Sequence, residues 1–211
     1  MLIVALSGWK GSGKDSVAKF MVEEHGFKRI AFADVLKDMV AETYKIPRSY
    51  MDDIQYKESA LLNMPVRPVD KFSKMITEFM HKEFAPVDGS LYWSPRALCI
   101  LEGSIKRSAD PDYWVSRALS KANDPHGKYV ITDVRYRSEL TKLEELVSQS
   151  KSKDELITVR VKRFDDSPST DPSERDLDNT AMDVVIPNYN SLDHLKSKVR
   201  MFNSYLESDN A

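Results

Sequence analysis

Apolar and polar positions along the chain switch between the strand and helix periods. Leu2-Ile3-Val4-Ala5-Leu6 is a continuous apolar run closed by Ser7, the pattern of a strand buried on both faces. Helical spacing follows in Val17, Phe20 and Met21, and His25-Gly26 supplies the stop. Phe27 to Phe32 reads as a second strand. Asp34 is placed to cap a helix carrying Leu36, Met39, Val40 and Tyr44. Residues 45–70 hold Pro47, Pro65 and Pro68 among many charges and read as irregular or partly helical. Phe72, Met75, Ile76 and Phe79 restore helical spacing over 71–84, and Pro86 to Gly89 is a turn. Ser94-Pro95 places a capping serine before a first-turn proline, and Asp110-Pro111 repeats that signal ahead of Trp114, Val115, Ala118 and Leu119. Tyr129 to Thr132 is the third strand, closed by Asp133. A helix with Leu140, Leu143 and Val147 comes next, then a strand over Leu156 to Val161. Residues 164–176, with Pro168 and Pro172, read as a polar surface loop. Asp183 to Ile186 is the fifth strand, and Leu192, Leu195, Val199, Phe202 and Leu206 mark a last helix before a frayed tail of five residues.

Strands alternating with helices predict an α/β fold with a five-stranded parallel sheet flanked by helices. In such sheets ligands bind beyond the carboxyl ends of the strands. Those ends carry Ser7-Gly8, Ala33-Asp34, Asp133, Arg163 and Asn188. A length of 211 residues fits one domain with insertions.

Between the first strand and the first helix lies Gly8-Trp9-Lys10-Gly11-Ser12-Gly13-Lys14-Asp15-Ser16. Its G-x-x-x-x-G-K spacing is the phosphate-binding P-loop, with Asp15 where Ser or Thr is usual. Glycines let the backbone wrap a polyphosphate, and the helix start offers unpaired N–H groups and partial positive charge. The loop therefore predicts nucleotide contacts from Gly8, Lys10, Gly11, Ser12, Gly13, Lys14, Asp15 and Ser16, with Lys14 also acting in phosphoryl transfer.

Asp133 ends an apolar strand as a Walker-B aspartate does, a position that serves Mg²⁺ in P-loop enzymes; the other reading is a cap for the next helix. Asp15 and Ser16 are both candidates for the metal shell. Arg135 follows Asp133 by two residues, and arginine forks match phosphate oxygens. Arg96 sits in a helix first turn, where a cation opposes the dipole, so an anionic partner is expected. Arg163 and Arg175 bracket the 164–176 loop, which suits a lid over transferring phosphates; an exposed linker has the same composition. Tyr113 and Trp114 offer a stacking surface or core packing equally.

Charge and composition narrow the field. A net charge of −2 and the lack of basic-aromatic interleaving argue against a nucleic-acid or membrane-surface binder. No apolar stretch reaches the length of a membrane span, and the first apolar run lacks the marks of a signal peptide. The single cysteine, Cys99, rules out an internal disulfide framework and fits a reducing cytoplasm.

Several segments together resemble the viral, bacteriophage-type deoxynucleoside monophosphate kinases of the P-loop kinase superfamily. They are Leu6-Ser7-Gly8 through Ser16, Ala31 to Lys37, Ser94 to Leu98 with Leu101 to Ser104, Asp110 to Val115, Ile131 to Glu139, and Ser173 to Asp178 with Asp183 and Ile186-Pro187-Asn188. The resemblance implies a P-loop kinase with core 1–33 and 126–206, a helical acceptor-binding insert over about 34–125 and a short lid over about 164–176. It implies ATP as phosphoryl donor, Mg²⁺, a deoxynucleoside 5′-monophosphate as acceptor, a host-cytoplasmic location and pairing of subunits into a homodimer. Arg96 and Arg135 match arginines near the acceptor phosphate. Asp34, Lys37, Trp114 and Glu139 fall in matched motifs of the substrate site, and Asn188 begins the loop that holds adenine. The Gly-Lys-Asp ending of the loop is also similar to phosphomevalonate kinase, so another phosphorylated small molecule stands as the alternative acceptor. A nucleotide-dependent switch is the remaining alternative, although Asn188-Tyr189-Asn190-Ser191 lacks the guanine-reading Asn-Lys-x-Asp.

Overall fold

The computed structural model describes residues 1–66, 74, 78, 87, 89–150, 154–163 and 175–209. The chain divides into two compact units, Met1–Phe32 with Val115–Ala211, and Ala33–Trp114.

The first unit is built on five strands: β1 (Leu2–Ser7), β2 (Lys28–Ile30), β3 (Lys128–Ile131), β4 (Glu155–Arg163) and β5 (Val184–Asn188). They lie in the order β2-β3-β1-β4-β5, and every pairing is parallel. The predicted α/β class and five-stranded parallel sheet are thus borne out. β1 is central and covered on both faces, which is why its residues are apolar without alternation. Val4 and Leu6 face a core shared with Val17, Phe20 and Met21 of α1 (Lys14–His25) and with Leu195, Val199 and Phe202 of the last helix, α7 (Leu192–Asp209). On the opposite face Ile3 lines a small cavity with Leu146 and Val147 of α6 (Arg137–Ser148).

This topology positions the site. From β1 the chain turns to one face through α1; from β3 it turns to the other through α6. The carboxyl ends of these neighbouring strands therefore diverge, and the crevice between them is where ligands bind in such sheets. Ala5 pairs with Ile131, so Ser7 and Asp133 stand at the same level beyond that rung.

Several predicted boundaries move. β2 is only Lys28–Ile30, because Phe32 already opens α2 (Phe32–Tyr44). Asp34 therefore lies in the first turn of α2 rather than capping it. The Phe32 N–H is held instead by Asp133 Oδ1 at 2.9 Å, a partner a hundred residues away in sequence. The last helix runs to Asp209, so the tail predicted to fray is largely helical.

In the second unit, the 45–66 stretch forms a 3₁₀ turn (Arg48–Met51) and a short helix, α3 (Ile54–Lys57). The helix predicted over 71–84 lies outside the described residues except Lys74 and Glu78, which are helical. Val87 and Ser90 exchange both backbone hydrogen bonds across the predicted turn. Ser94 caps α4 (Pro95–Ala109), accepting from the Ala97 N–H at 3.1 Å as the Ser-Pro signal predicts. α5 (Tyr113–Leu119) starts two residues after Pro111, since Asp110 forms a turn with Asp112 and Tyr113 first. Val40, Ile46, Met51, Trp93, Ala97, Leu98 and Leu101 make this unit's core. Cys99 is half-buried with its Sγ 3.7 Å from Met51 Sδ, and burial pushes its thiol up to about 11.

Candidate active site

The loop after β1 has the conformation its glycines predict. Gly8 has φ +144° and Gly13 φ +104°, values that L side chains rarely adopt. A Cβ on Gly8 would strike the Val161 carbonyl oxygen, and one on Gly13 would strike the Asn188 amide. Gly13 opens α1 with no side-chain cap, which leaves the first amides of the helix for an anion. Ser12 N–H donates to Trp9 O at 3.0 Å, tightening the turn. Lys14 Nζ donates back to the carbonyl oxygens of Gly8 and, at 2.9 Å, of Trp9. The ammonium is thus held over the mouth of the loop. Ser12 Oγ is buried and has no hydrogen-bond partner among the described residues. Lys10 and Asp15 are exposed, and Ser16 is half-buried in the first turn of α1.

Two predicted site residues close on this loop from the neighbouring strands. Arg163 and Asn188 are opposite each other at the ends of β4 and β5. Arg163 Nη1 donates to Gly11 O at 3.3 Å, and Asn188 Nδ2 donates to Ser12 O at 2.9 Å. Both bonds brace carbonyls of the loop. The lid predicted over 164–176 lies outside the described residues except Arg175 and Asp176. Arg175 is exposed, with Nε 4.0 Å from Asp178 Oδ2.

Asp133 follows β3 and is half-buried. The alternative reading made it the cap of the next helix, but it caps α2 through Phe32. The next helix, α6, is closed by Glu139, whose Oε2 accepts from the N–H groups of Arg135 at 2.9 Å and Tyr136 at 3.0 Å. Glu139 is 4% exposed. These bonds shape the loop presenting the exposed Arg135.

The other substrate-site candidates lie in the second unit. Asp34 and Asp38, four residues apart on α2, both bond Arg48, at 3.3 Å and 2.7 Å. Arg48 also pairs with Asp52, to which Lys37 donates at 2.8 Å. Burial pushes the Asp52 carboxyl up, but the bonds and charges of Lys37 and Arg48 outweigh it and hold the group below the usual carboxylate range. Arg96 Nη1 pairs with Glu58 at 2.7 Å. Trp114 is 3% exposed, its indole N–H reaches Gly103 O at 3.4 Å, and Tyr113 meets it edge-on. The Trp114 side chain packs in the interior.

Sequence reasoning gave no role to Arg160, to Asp178 or to the ring of Trp9. Arg160 stands mid-strand in β4, opposite Ser7 on β1, and Nη1 donates to Ser7 Oγ at 3.1 Å. Its other arm reaches Leu177 O at 3.0 Å and Asp178 Oδ1 at 3.1 Å. Trp9 Nε1 donates to the same Asp178 oxygen at 2.7 Å. Gly8, Trp9, Arg160, Val161, Lys162, Arg163 and Asp178 line a cavity of about 330 Å³. The alternation of Ile157, Val159 and Val161 with Thr158, Arg160 and Lys162 was the available signal. A charge inside a strand paired on both sides demands a partner.

No family model and no curated protein matches the chain. Among solved structures, dephospho-CoA kinase from Campylobacter jejuni is similar at 14% identity and a TM-score of 0.48, over 100% of both chains. The TT1252 protein from Thermus thermophilus is similar at 14% identity and a TM-score of 0.34, over 97% of each chain. The fold class rests on the sheet order and the loop geometry, which need neither likeness.

Proposed function

We propose that this chain is an ATP-dependent phosphotransferase that transfers the γ-phosphoryl group to the phosphate of a deoxynucleoside 5′-monophosphate, giving the diphosphate. The observation that carries the reading is the Lys14 ammonium poised over a glycine loop whose helix start has no side-chain cap. The motif resemblance carries the choice of acceptor.

The donor set fits a magnesium–polyphosphate. The uncapped amides and the orphaned Ser12 hydroxyl suit phosphate oxygens. Mg²⁺ keeps waters and takes much of its shell from phosphates, so a polyphosphate at this loop would supply most of its ligands. Asp133 with Asp15 or Ser16 would hold the metal, and the bound ion would neutralise charge on the transferring phosphates.

The acceptor oxygen is anionic and needs no strong base. It bonds to the γ-phosphorus as the bond to the β,γ-bridging oxygen breaks, and ADP leaves with that electron pair. Catalysis is then positioning and charge neutralisation. Lys14 exchanges its loop carbonyls for phosphate oxygens, Arg163 sits at the loop, and Arg135 takes the acceptor phosphate. Arg175 stands at the foot of the segment that would exclude water.

The test is an ADP-release assay with dAMP, dGMP, dCMP, dTMP and AMP, alongside phosphomevalonate and dephospho-CoA. Magnesium-dependent release with at least one deoxynucleotide, about tenfold or more above the last two, supports the reading. Release only with phosphomevalonate or dephospho-CoA moves the chain to the alternative acceptor class. Release with none overturns it.

A further inference from the structure

We infer that Asp178 is a positioning residue: the turn Asp176-Leu177-Asp178 braces the phosphate loop to the loop that presents Arg135. The inference rests on the phosphotransferase reading and extends it to residues with no assigned part in it.

Three contacts make the brace. Asp178 Oδ1 accepts from Trp9 Nε1 in the phosphate loop at 2.7 Å. The same oxygen accepts from Arg160 Nη2, whose Nη1 holds Ser7 Oγ where β1 enters the loop. Asp176 Oδ2 accepts from the Arg137 N–H at 2.6 Å, at the start of α6 and two residues after Arg135. Between the two aspartates, Leu177 is 2% exposed, and Asp178 N–H and Thr180 N–H close the turn on Arg175 O and Leu177 O. Both loops are therefore bonded to one short turn that is itself anchored in the core.

The burial supports a mechanical role. The Arg160 and Asp178 side chains are 16% and 23% exposed. Removing one member of a sheltered charged pair leaves the other uncompensated, so such a network has few alternative arrangements. Trp9 adds a rigid ring with a single donor. Its bond to Asp178 fixes the second residue of the loop, next to the carbonyls on which Lys14 rests. Loss of the brace would let the loops drift by fractions of an ångström, which costs turnover far more than it costs binding of the nucleotide.

The experiment compares Trp9→Phe, Asp178→Asn, Asp178→Ala and the double variant Trp9→Phe/Asp178→Ala. Asparagine keeps an acceptor for the indole; alanine keeps none; phenylalanine keeps a smaller aromatic ring and loses the donor. Expected for Asp178→Ala is a kcat fall of about tenfold or more with KM for ATP within about threefold. Asp178→Asn recovers part of that loss. The double variant is no worse than Asp178→Ala by more than about twofold, because both changes cut one bond. Wild-type kcat in Asp178→Ala, or multiplicative losses in the double variant, overturns the inference. If Asp178→Ala does not fold, Trp9→Phe alone decides it by the same kcat-against-KM split.

A chain that transfers no phosphate would sink the functional reading while leaving the brace measurable. The Trp9 indole proton, assigned by its loss in Trp9→Phe, is then followed by hydrogen exchange. Slow exchange that accelerates about tenfold in Asp178→Asn or Asp178→Ala upholds the brace. Fast exchange already in the wild type, or no acceleration, refutes it.

Discussion

Asp133 accepts a hydrogen bond from the Phe32 N–H at 2.9 Å. A strand-end carboxylate, at the level where P-loop enzymes keep a metal-linked aspartate, thus holds the first residue of α2. The proposed metal role and this bond separate by substitution. Asp133→Ala loses both, and urea denaturation should show a cost of about 1 kcal/mol, the usual worth of a capping acceptor. Asp133→Asn retains the acceptor, so its stability should stay within about 0.5 kcal/mol while the Mg²⁺ needed for half-maximal activity rises about tenfold. An unchanged Mg²⁺ dependence in Asp133→Asn would leave the residue with the cap alone.

Gly13 and Asn188 are packed so closely that a side chain at 13 must displace the amide. With φ at +104°, Gly13→Ala should destabilise by about 1–2 kcal/mol and weaken ATP binding by about tenfold or more. Asn188→Ala relieves the collision but not the backbone strain. The double variant should therefore recover part of the lost affinity, measured by calorimetric titration. No recovery would mean that crowding at Asn188 is irrelevant.

Arg135→Ala should raise KM for the deoxynucleotide by about tenfold or more and KM for ATP by less than about threefold, since its guanidinium is assigned to the acceptor phosphate. Steady-state kinetics with each substrate varied in turn checks this. The reverse pattern would move Arg135 to the donor side.

Tyr44 O–H donates to Glu102 Oε1 at 2.7 Å. Burial first, then this bond and the Glu102 charge, raise its pKa above the ordinary phenol value. A raised pKa in the folded state gives stability that is complete below the unfolded value of about 10 and declines as pH rises past it. The urea midpoint of the wild type should therefore fall more steeply above pH about 10 than that of Tyr44→Phe. Parallel curves would show that the pair does not couple to stability.

Much of this was legible in the sequence where periodicity and local chemistry decide the outcome. The central strand, the glycine loop, the Gly26 stop and the Ser94 cap all depend on residues close in sequence. What escaped depends on partners brought from far away. β2 ends early because Asp133 arrives to cap α2, and Asp34 loses that role for the same reason. Arg96 was read as facing an anion, and its bond to Glu58 crosses thirty-eight residues of sequence. Asp34 and Asp38 lie one helical turn apart, and the cation they share, Arg48, comes from beyond the end of α2. The brace through Asp178 joins Trp9 to a residue 169 positions away, which no local pattern encodes.

The most direct test of the central claim follows the phosphorus nuclei. With ATP, Mg²⁺ and a deoxynucleoside monophosphate, ³¹P NMR should show the acceptor's single resonance replaced by a coupled α,β pair as ATP becomes ADP. Lys14→Ala should slow that conversion by about a hundredfold or more while melting near the wild-type temperature. ATP loss to inorganic phosphate with the acceptor signal untouched, or a Lys14→Ala rate equal to the wild type, would contradict the account.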